Sequence, residues 1–238
     1  MAAAVRIAIA GEGGQGVQSI AEILASAAYM LGKEALYIPN FGVEQRGGVS
    51  VAFVQISPRK IGSPKFQTAD ILIPLSPRSV RRTRQYAGQN TIYIYDNSLI
   101  TPGEVNDHIV GQQYFDTVPP SPTDTAREAA QEPKVPGETK TAPFAKEGPG
   151  VDRRDIPPNV KKVIAIPAND IASEELHPRV FNILILGALI GVTEILPLDA
   201  IKEALEDKLG AKFQANPRLR ELNYAALQKG YQLVKTAI

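Results

Sequence analysis

Glycines at two places carry the chemistry that this sequence can suggest. Gly11, Gly13 and Gly16 fit the pattern G-x-G-x-x-G, with Gly14 as a fourth glycine and Gln15 beside it. Glycine admits backbone angles and close approaches that a side chain would block. Where such a loop joins a strand to a helix, free N–H groups point at whatever sits there, and a phosphate or carboxylate is the usual guest. The second place is Phe41-Gly-Val-Glu-Gln-Arg-Gly-Gly-Val-Ser50, which holds Glu44, Arg46, Gly47 and Gly48. A guanidinium fork suits phosphates and carboxylates. Each loop has two readings. The first either contacts a ligand or only lets a strand-to-helix turn pack tightly. In the second, Arg46 either meets an anion or pairs with Glu44 to brace a tight connection.

A dinucleotide site would need an acid at the end of the second strand, about 20 residues on, for a ribose hydroxyl. That strand ends in Pro39 and Asn40, and Glu44 comes later in a loop. The nicotinamide reading therefore lacks its second support. The chain has no cysteine and two histidines, His108 and His177. Disulfides, thiol catalysis and cysteine-ligated clusters are excluded from it, and any redox metal centre must sit on other subunits. A cysteine-free chain fits the cytoplasm. The formal net charge is +1, and no run of about 18 apolar residues is present, so neither nucleic acid nor a membrane is an expected partner. The first residues, Met1-Ala-Ala-Ala-Val-Arg, lack the order of a signal peptide and read as the lead into the first strand.

The elements that must hold these loops follow from hydrophobic pattern. Val5–Ala10 is a β-prone run, and a helical pattern runs from the glycine loop to about Leu31: the first half of a βαβ unit. Strands are expected at 35–40, 49–57, 70–75, 90–96 and 162–167. Ser76 is a candidate N-cap for a helix from Pro77 to about Ala87 that carries Arg78, Arg81, Arg82 and Arg84. Those arginines read first as a solvated face and second as an anionic partner surface.

Residues 179–196 are apolar on nearly every side, as in a buried helix. Asn182 is the exception, and a buried amide must cap a turn or face a site. Amphipathic helices are expected over 198–209 and from Pro217 to about Ala237. The fold class is α/β: a Rossmann-like, mostly parallel sheet flanked by helices, with a helical C-terminal part. Nine of the nineteen prolines lie between Pro119 and Pro158, mixed with Glu, Lys, Thr and Gly. Such a stretch cannot bury enough apolar surface to offset its ordering cost. It reads as an extended or disordered insertion at about 116–160 in a single domain spanning 1–238, with bridging to a partner as its candidate purpose.

Gly-Glu-Gly-Gly-Gln-Gly-Val (11–17), Phe-Gly-Val-Glu-Gln-Arg-Gly-Gly-Val-Ser (41–50), Val-Gln-Ile-Ser (54–57), Asn182 with Leu-Gly-Ala (186–188), and Asn216 together resemble the gamma subunit, or domain III, of 2-oxoacid:ferredoxin oxidoreductases. The resemblance covers the chain apart from the insertion. It implies a multi-subunit enzyme that cleaves a 2-oxoacid with thiamine diphosphate and Mg2+, passes electrons through [4Fe-4S] clusters to ferredoxin, and commonly makes an acyl-CoA. It implies alpha, beta and delta-type partner subunits that hold the diphosphate and the clusters. The gamma unit itself packs on the catalytic core near where coenzyme A approaches, carries no metal, and is inactive alone. On this reading Gly11, Gly13, Gly14, Gln15, Gly16, Glu44, Arg46, Gly47, Gly48 and Asn182 line the CoA side of the junction. A purely architectural subunit and a free-standing nucleotide-binding oxidoreductase are the rival readings.

Overall fold

A computed structural model describes residues 4–41, 48–100 and 160–236. Glu44, Arg46, Gly47 and the proline-rich stretch at about 116–160 lie outside the described residues. Six strands form one sheet: β1 (Val5–Glu12), β2 (Glu34–Asn40), β3 (Val49–Ser57), β4 (Ile71–Pro74), β5 (Ile92–Asp96) and β6 (Lys162–Ile166). Their order is β2-β3-β1-β4-β5-β6. The pairings β1–β4, β4–β5 and β5–β6 are parallel, as the α/β reading requires. The pairings of β3 with β1 and with β2 are antiparallel. The expected βαβ unit is therefore split. The crossover from β1 leaves a gap one strand wide, and β3 returns from β2 to fill it.

The helices are α1 (Val17–Met30), α2 (Pro77–Thr83), α3 (Ala168–Glu175), α4 (Phe181–Thr193), α5 (Leu198–Ala215) and α6 (Pro217–Lys235). The strands alternate cleanly between two apolar faces, as pleating demands. Ile7, Ile9, Ile71, Ile73, Ile94 and Ile164 face a core shared with α1, α4, α5 and α6. Ala8, Leu72, Tyr93 and Tyr95 face the other side, where Val80 of α2 and Phe53, Phe66 and Tyr86 pack. Helix α1 buries Val17, Ile20, Ala21, Ile23, Leu24, Ala27 and Ala28. That spacing presents one continuous stripe to the sheet.

Helix α4 has no polar stripe, and ten of its residues are buried. It crosses α6 with backbone nearly touching backbone. A Cβ on Gly187 would lie 2.1 Å from the Leu227 carbonyl oxygen, and one on Gly230 would lie 1.9 Å from the Leu184 carbonyl oxygen. Small residues at a crossing allow such approach, and no other side chain fits here. This packing fixes the start of α4, and with it Asn182, against the sheet.

Several boundaries differ from the hydrophobic reading: β1 runs on to Glu12 rather than Ala10, and α4 spans Phe181–Thr193 rather than 179–196. Helix α2 stops at Thr83 and tightens into a 3-10 turn over Arg84–Tyr86. Helix α5 runs on to Ala215 because Phe213, near its end, is fully buried.

Candidate anion site at the glycine loop

Strand β1 ends at Glu12, and α1 starts at Val17, so the turn between them has four residues. Two of its glycines sit in the left-handed region, Gly14 at φ +93° and Gly16 at φ +75°. Gly16 is the N-cap of α1, with no side chain capping the first turn and no acid in it. The helix thus starts with free N–H groups and an uncompensated positive dipole end.

The four glycines divide into two kinds. A Cβ on Gly11 would meet Gln15 Oε1 at 2.6 Å, and one on Gly16 would meet Asn182 Nδ2 at 2.2 Å. These two are filled from within the protein. At Gly13 and Gly14 a Cβ would meet nothing within 4 Å. The exposed tip of the turn is the part left open to a guest.

Gln15 fixes the turn in place. The Glu12 backbone N–H donates to its Oε1 at 2.6 Å, and its Nε2 donates to the Leu75 carbonyl at 2.7 Å. The loop after β1 is thereby tied to the end of β4. Beyond Leu75, Ser76 caps α2 in a capping box with Ser79. Helix α1 lies on one face of the sheet and α2 on the other. The β1–β4 boundary is consequently where the chain switches faces, and ligands of α/β sheets bind in the crevice outside that point. The crevice here lies between the glycine turn and the start of α2.

One cation was misjudged from sequence alone. Arg78, expected on a solvated face, is folded toward the turn: its Nη1 lies 3.6 Å from Glu12 Oε1, and its side chain is 13% exposed. Arg81 and Arg84 are exposed, as expected. The signal that could have found Arg78 is its place just after the β4 strand end, in the first turn of the helix across the switch.

The end of the second glycine-rich segment, Gly48, is brought alongside by the strand that splits the βαβ unit. Val49 pairs with Glu12 and Ser50 with Gly11, so Gly48 lies next to the end of β1. Gln18 of α1 donates to Ser50 Oγ, and the Tyr37 hydroxyl donates to Gln18 Oε1 at 2.6 Å. Burial pushes the Tyr37 phenol above its ordinary value. None of Gln18, Tyr37 or Ser50 was singled out by sequence. Asn182 reaches the turn from the start of α4. Its Oδ1 is buried without a hydrogen-bond partner among the described residues.

The family model described as pyruvate ferredoxin/flavodoxin oxidoreductase matches residues 6–233. The chain belongs to that family. Over 226 residues it is 26% identical to the pyruvate synthase subunit PorC of Thermotoga maritima, covering 94% of this chain and 92% of the relative. Two other curated relatives are much longer, and the chain spans 20% and 36% of their lengths.

The family fold is equally plain in solved structures. The gamma subunit of a keto/oxoacid ferredoxin oxidoreductase from Geobacter sulfurreducens superposes with a TM-score of 0.64 at 21% identity, covering 99% of both chains. A 2-oxoglutarate:ferredoxin oxidoreductase from Magnetococcus marinus, with 2-oxoglutarate, coenzyme A and succinyl-CoA bound, superposes with a TM-score of 0.67 at 22% identity. There the likeness covers 100% of this chain and 32% of the other. The same α/β unit thus occurs as a separate subunit and as one segment of a longer chain.

Proposed function

We propose that this chain is the gamma subunit of a multi-subunit, thiamine diphosphate-dependent 2-oxoacid:ferredoxin oxidoreductase in the cytoplasm. The complex oxidatively decarboxylates a 2-oxoacid, typically to an acyl-CoA, and passes electrons to ferredoxin. This chain packs on the catalytic core, and its glycine turn forms part of the coenzyme A side of the junction. The observation that carries this reading is the open Gly13–Gly14 tip at the switch point, in a chain that matches a PorC subunit nearly end to end. The coenzyme A bound in the Magnetococcus marinus neighbour supports it.

The chain's own residues suit some of the implied groups and not others. It has no cysteine thiolate to ligate a [4Fe-4S] cluster. Among the described residues, no group of three or more His, Cys, Asp and Glu side chains could hold Mg2+. Those groups belong to alpha, beta and delta-type subunits. The free N–H groups of the turn suit an anionic group of coenzyme A. Arg46, outside the described residues, is proposed either as a further donor to that group or as the partner of Glu44 in a loop-bracing pair.

Gly13→Val in the assembled complex tests the ligand role, because the added side chain occupies only space that a guest would fill. Loss of one charge-assisted hydrogen bond predicts a KM for coenzyme A raised about tenfold or more. Assembly and kcat should be unchanged. The internal filling of Gly11 and Gly16 favours a second reading, in which the loop is architectural. Weakened subunit assembly with an unchanged KM would establish that reading instead.

A further inference from the structure

We propose that Glu12 and Arg78 form a charge pair that sets the anion affinity of the glycine turn, with Arg78 as the positioning residue. The inference rests on the coenzyme A reading of that turn. Glu12 is the last residue of β1 and directly precedes the open Gly13–Gly14 tip. Arg78 is the second residue of α2, across the switch point. Its Nη1 lies 3.6 Å from Glu12 Oε1, so the pair spans the crevice between the turn and α2. At that length the contact is one of charge and not a hydrogen bond.

Both ends of the pair are held in place. The Glu12 N–H donates to Gln15 Oε1 at 2.6 Å, and the Gln15 N–H donates to the Glu12 carbonyl at 3.2 Å. Gln15 Nε2 ties the turn to the Leu75 carbonyl, and the Leu75 N–H donates to the Ala10 carbonyl at 2.7 Å. Ser76 and Ser79, both buried, close the capping box that starts α2. The backbone on each side of the crevice is therefore fixed, and the Glu12 carboxylate stays beside the tip.

The Glu12 side chain is 34% exposed and that of Arg78 only 13%. The more accessible member of the pair is thus the carboxylate, the wrong sign for an anionic guest, with a guanidinium behind it. An ion pair this exposed adds little to stability. Its effect on a neighbouring charge is larger. One unit of charge within about 10 Å, inside the Debye length at ordinary salt, changes anion affinity by about three- to tenfold. Arg78 acts through Glu12: it cancels the carboxylate, so that the free N–H groups and positive end of α1 decide the sign of the turn.

Steady-state kinetics of the assembled complex, with coenzyme A as the varied substrate, test the pair. Arg78→Gln should raise the KM about three- to tenfold, with kcat changed by less than about twofold. Glu12→Gln should lower the KM by a similar factor, a gain that damage to the fold would not produce. Glu12→Gln/Arg78→Gln restores the net charge, and its KM should return to that of wild type. Arg78→Lys, which keeps the charge without the fork, should stay near wild type. Each shift should shrink as ionic strength rises from about 0.01 M to about 0.15 M, whereas lost packing would not follow salt. Gly13→Val in the same assay separates this inference from the reading beneath it. With the KM raised in Gly13→Val, any of four results would overturn the pair alone: an unmoved KM in Arg78→Gln, a double variant or Arg78→Lys as weak as Arg78→Gln, or shifts indifferent to salt. Should Arg78→Gln not assemble, an unmoved or raised KM in Glu12→Gln would overturn it equally. A KM unmoved in Gly13→Val would overturn the coenzyme A reading and the pair with it.

Discussion

Gly16 is where backbone strain and side-chain packing meet, and its replacement by alanine separates them. The residue sits at φ +75°. A non-glycine residue in the left-handed region costs about 1–2 kcal/mol. An alanine Cβ would also lie 2.2 Å from Asn182 Nδ2, 2.9 Å from its Cγ and 3.2 Å from its Cβ. Asn182 stands on α4, whose path is fixed by the glycine crossing with α6, so the side chain must swing away or the turn must shift. Overpacking of this kind costs about 1–3 kcal/mol. Gly16→Ala is therefore expected to destabilise the chain by about 2–5 kcal/mol in urea denaturation.

Asn182→Ala removes Nδ2 and Cγ, along with a buried carbonyl oxygen that has no partner among the described residues. Combined with Gly16→Ala it should relieve the packing part and leave the backbone part, about 1–2 kcal/mol. The cycle should show a coupling of about 1–3 kcal/mol. A Gly16→Ala chain within about 0.5 kcal/mol of wild type would refute the account of this turn. A coupling near zero would place the whole cost in the backbone.

Three other outcomes follow from the same structure. Gln15→Ala loses one hydrogen bond accepted and one donated, each worth about 0.5–1.5 kcal/mol, so urea denaturation should show a loss of about 1–3 kcal/mol. Gly230→Ala puts a Cβ against the Leu184 backbone, where no rotamer can give way. A loss near 3 kcal/mol, the upper end of overpacking costs, is expected in thermal unfolding, and a loss under 1 kcal/mol would contradict the crossing.

Asp96 is fully buried at the end of β5, accepting from Ser98 N–H and Oγ and from Asn169 N–H. Burial raises its carboxyl above the ordinary value of 3.8 despite those bonds. A raised acid contributes stability that is full below the unfolded value and lost as pH rises through the folded one. The stability of wild type relative to Asp96→Asn should accordingly decline from about pH 4 upward and then level off. A relative stability that climbs with pH would reverse the assignment.

Residue type pointed to the candidate site more clearly than to its geometry. Gly14 and Gly16 needed positive φ and could be read as a turn, and the apolar run of 179–196 had to be buried. Ser76 announced the start of α2. What pattern alone could not supply was strand order, because β2 and β3 alternate in the same way whichever neighbour they pair with. Arg78 was hidden for a related reason. Its run of four arginines has the composition of a solvated face, and only the parallel β1–β4 pairing puts Glu12 within reach of it. Gln15 looked like one more loop residue until Leu75 was known to lie beside it.

The antiparallel return of β3 is the feature on which the proposed junction depends. In an unsplit βαβ unit, β1 and β2 would be neighbours, and the strand after β2 would leave the loop over 41–48 free to lie elsewhere. Here β3 runs back between them, and its first residues pair with the last of β1, Val49 with Glu12 and Ser50 with Gly11. That register brings the end of the second glycine-rich segment to the first. Tyr37 and Gln18 then lock β2, α1 and Ser50 together. Gly48, at the end of that segment, is thereby tethered beside the end of β1. Replacing Ser50 with alanine should loosen this tether without touching the tip itself. In the complex, a raised KM for coenzyme A in Ser50→Ala at unchanged assembly would show that the two loops act as one site. An unchanged KM would mean that the first loop works without the second.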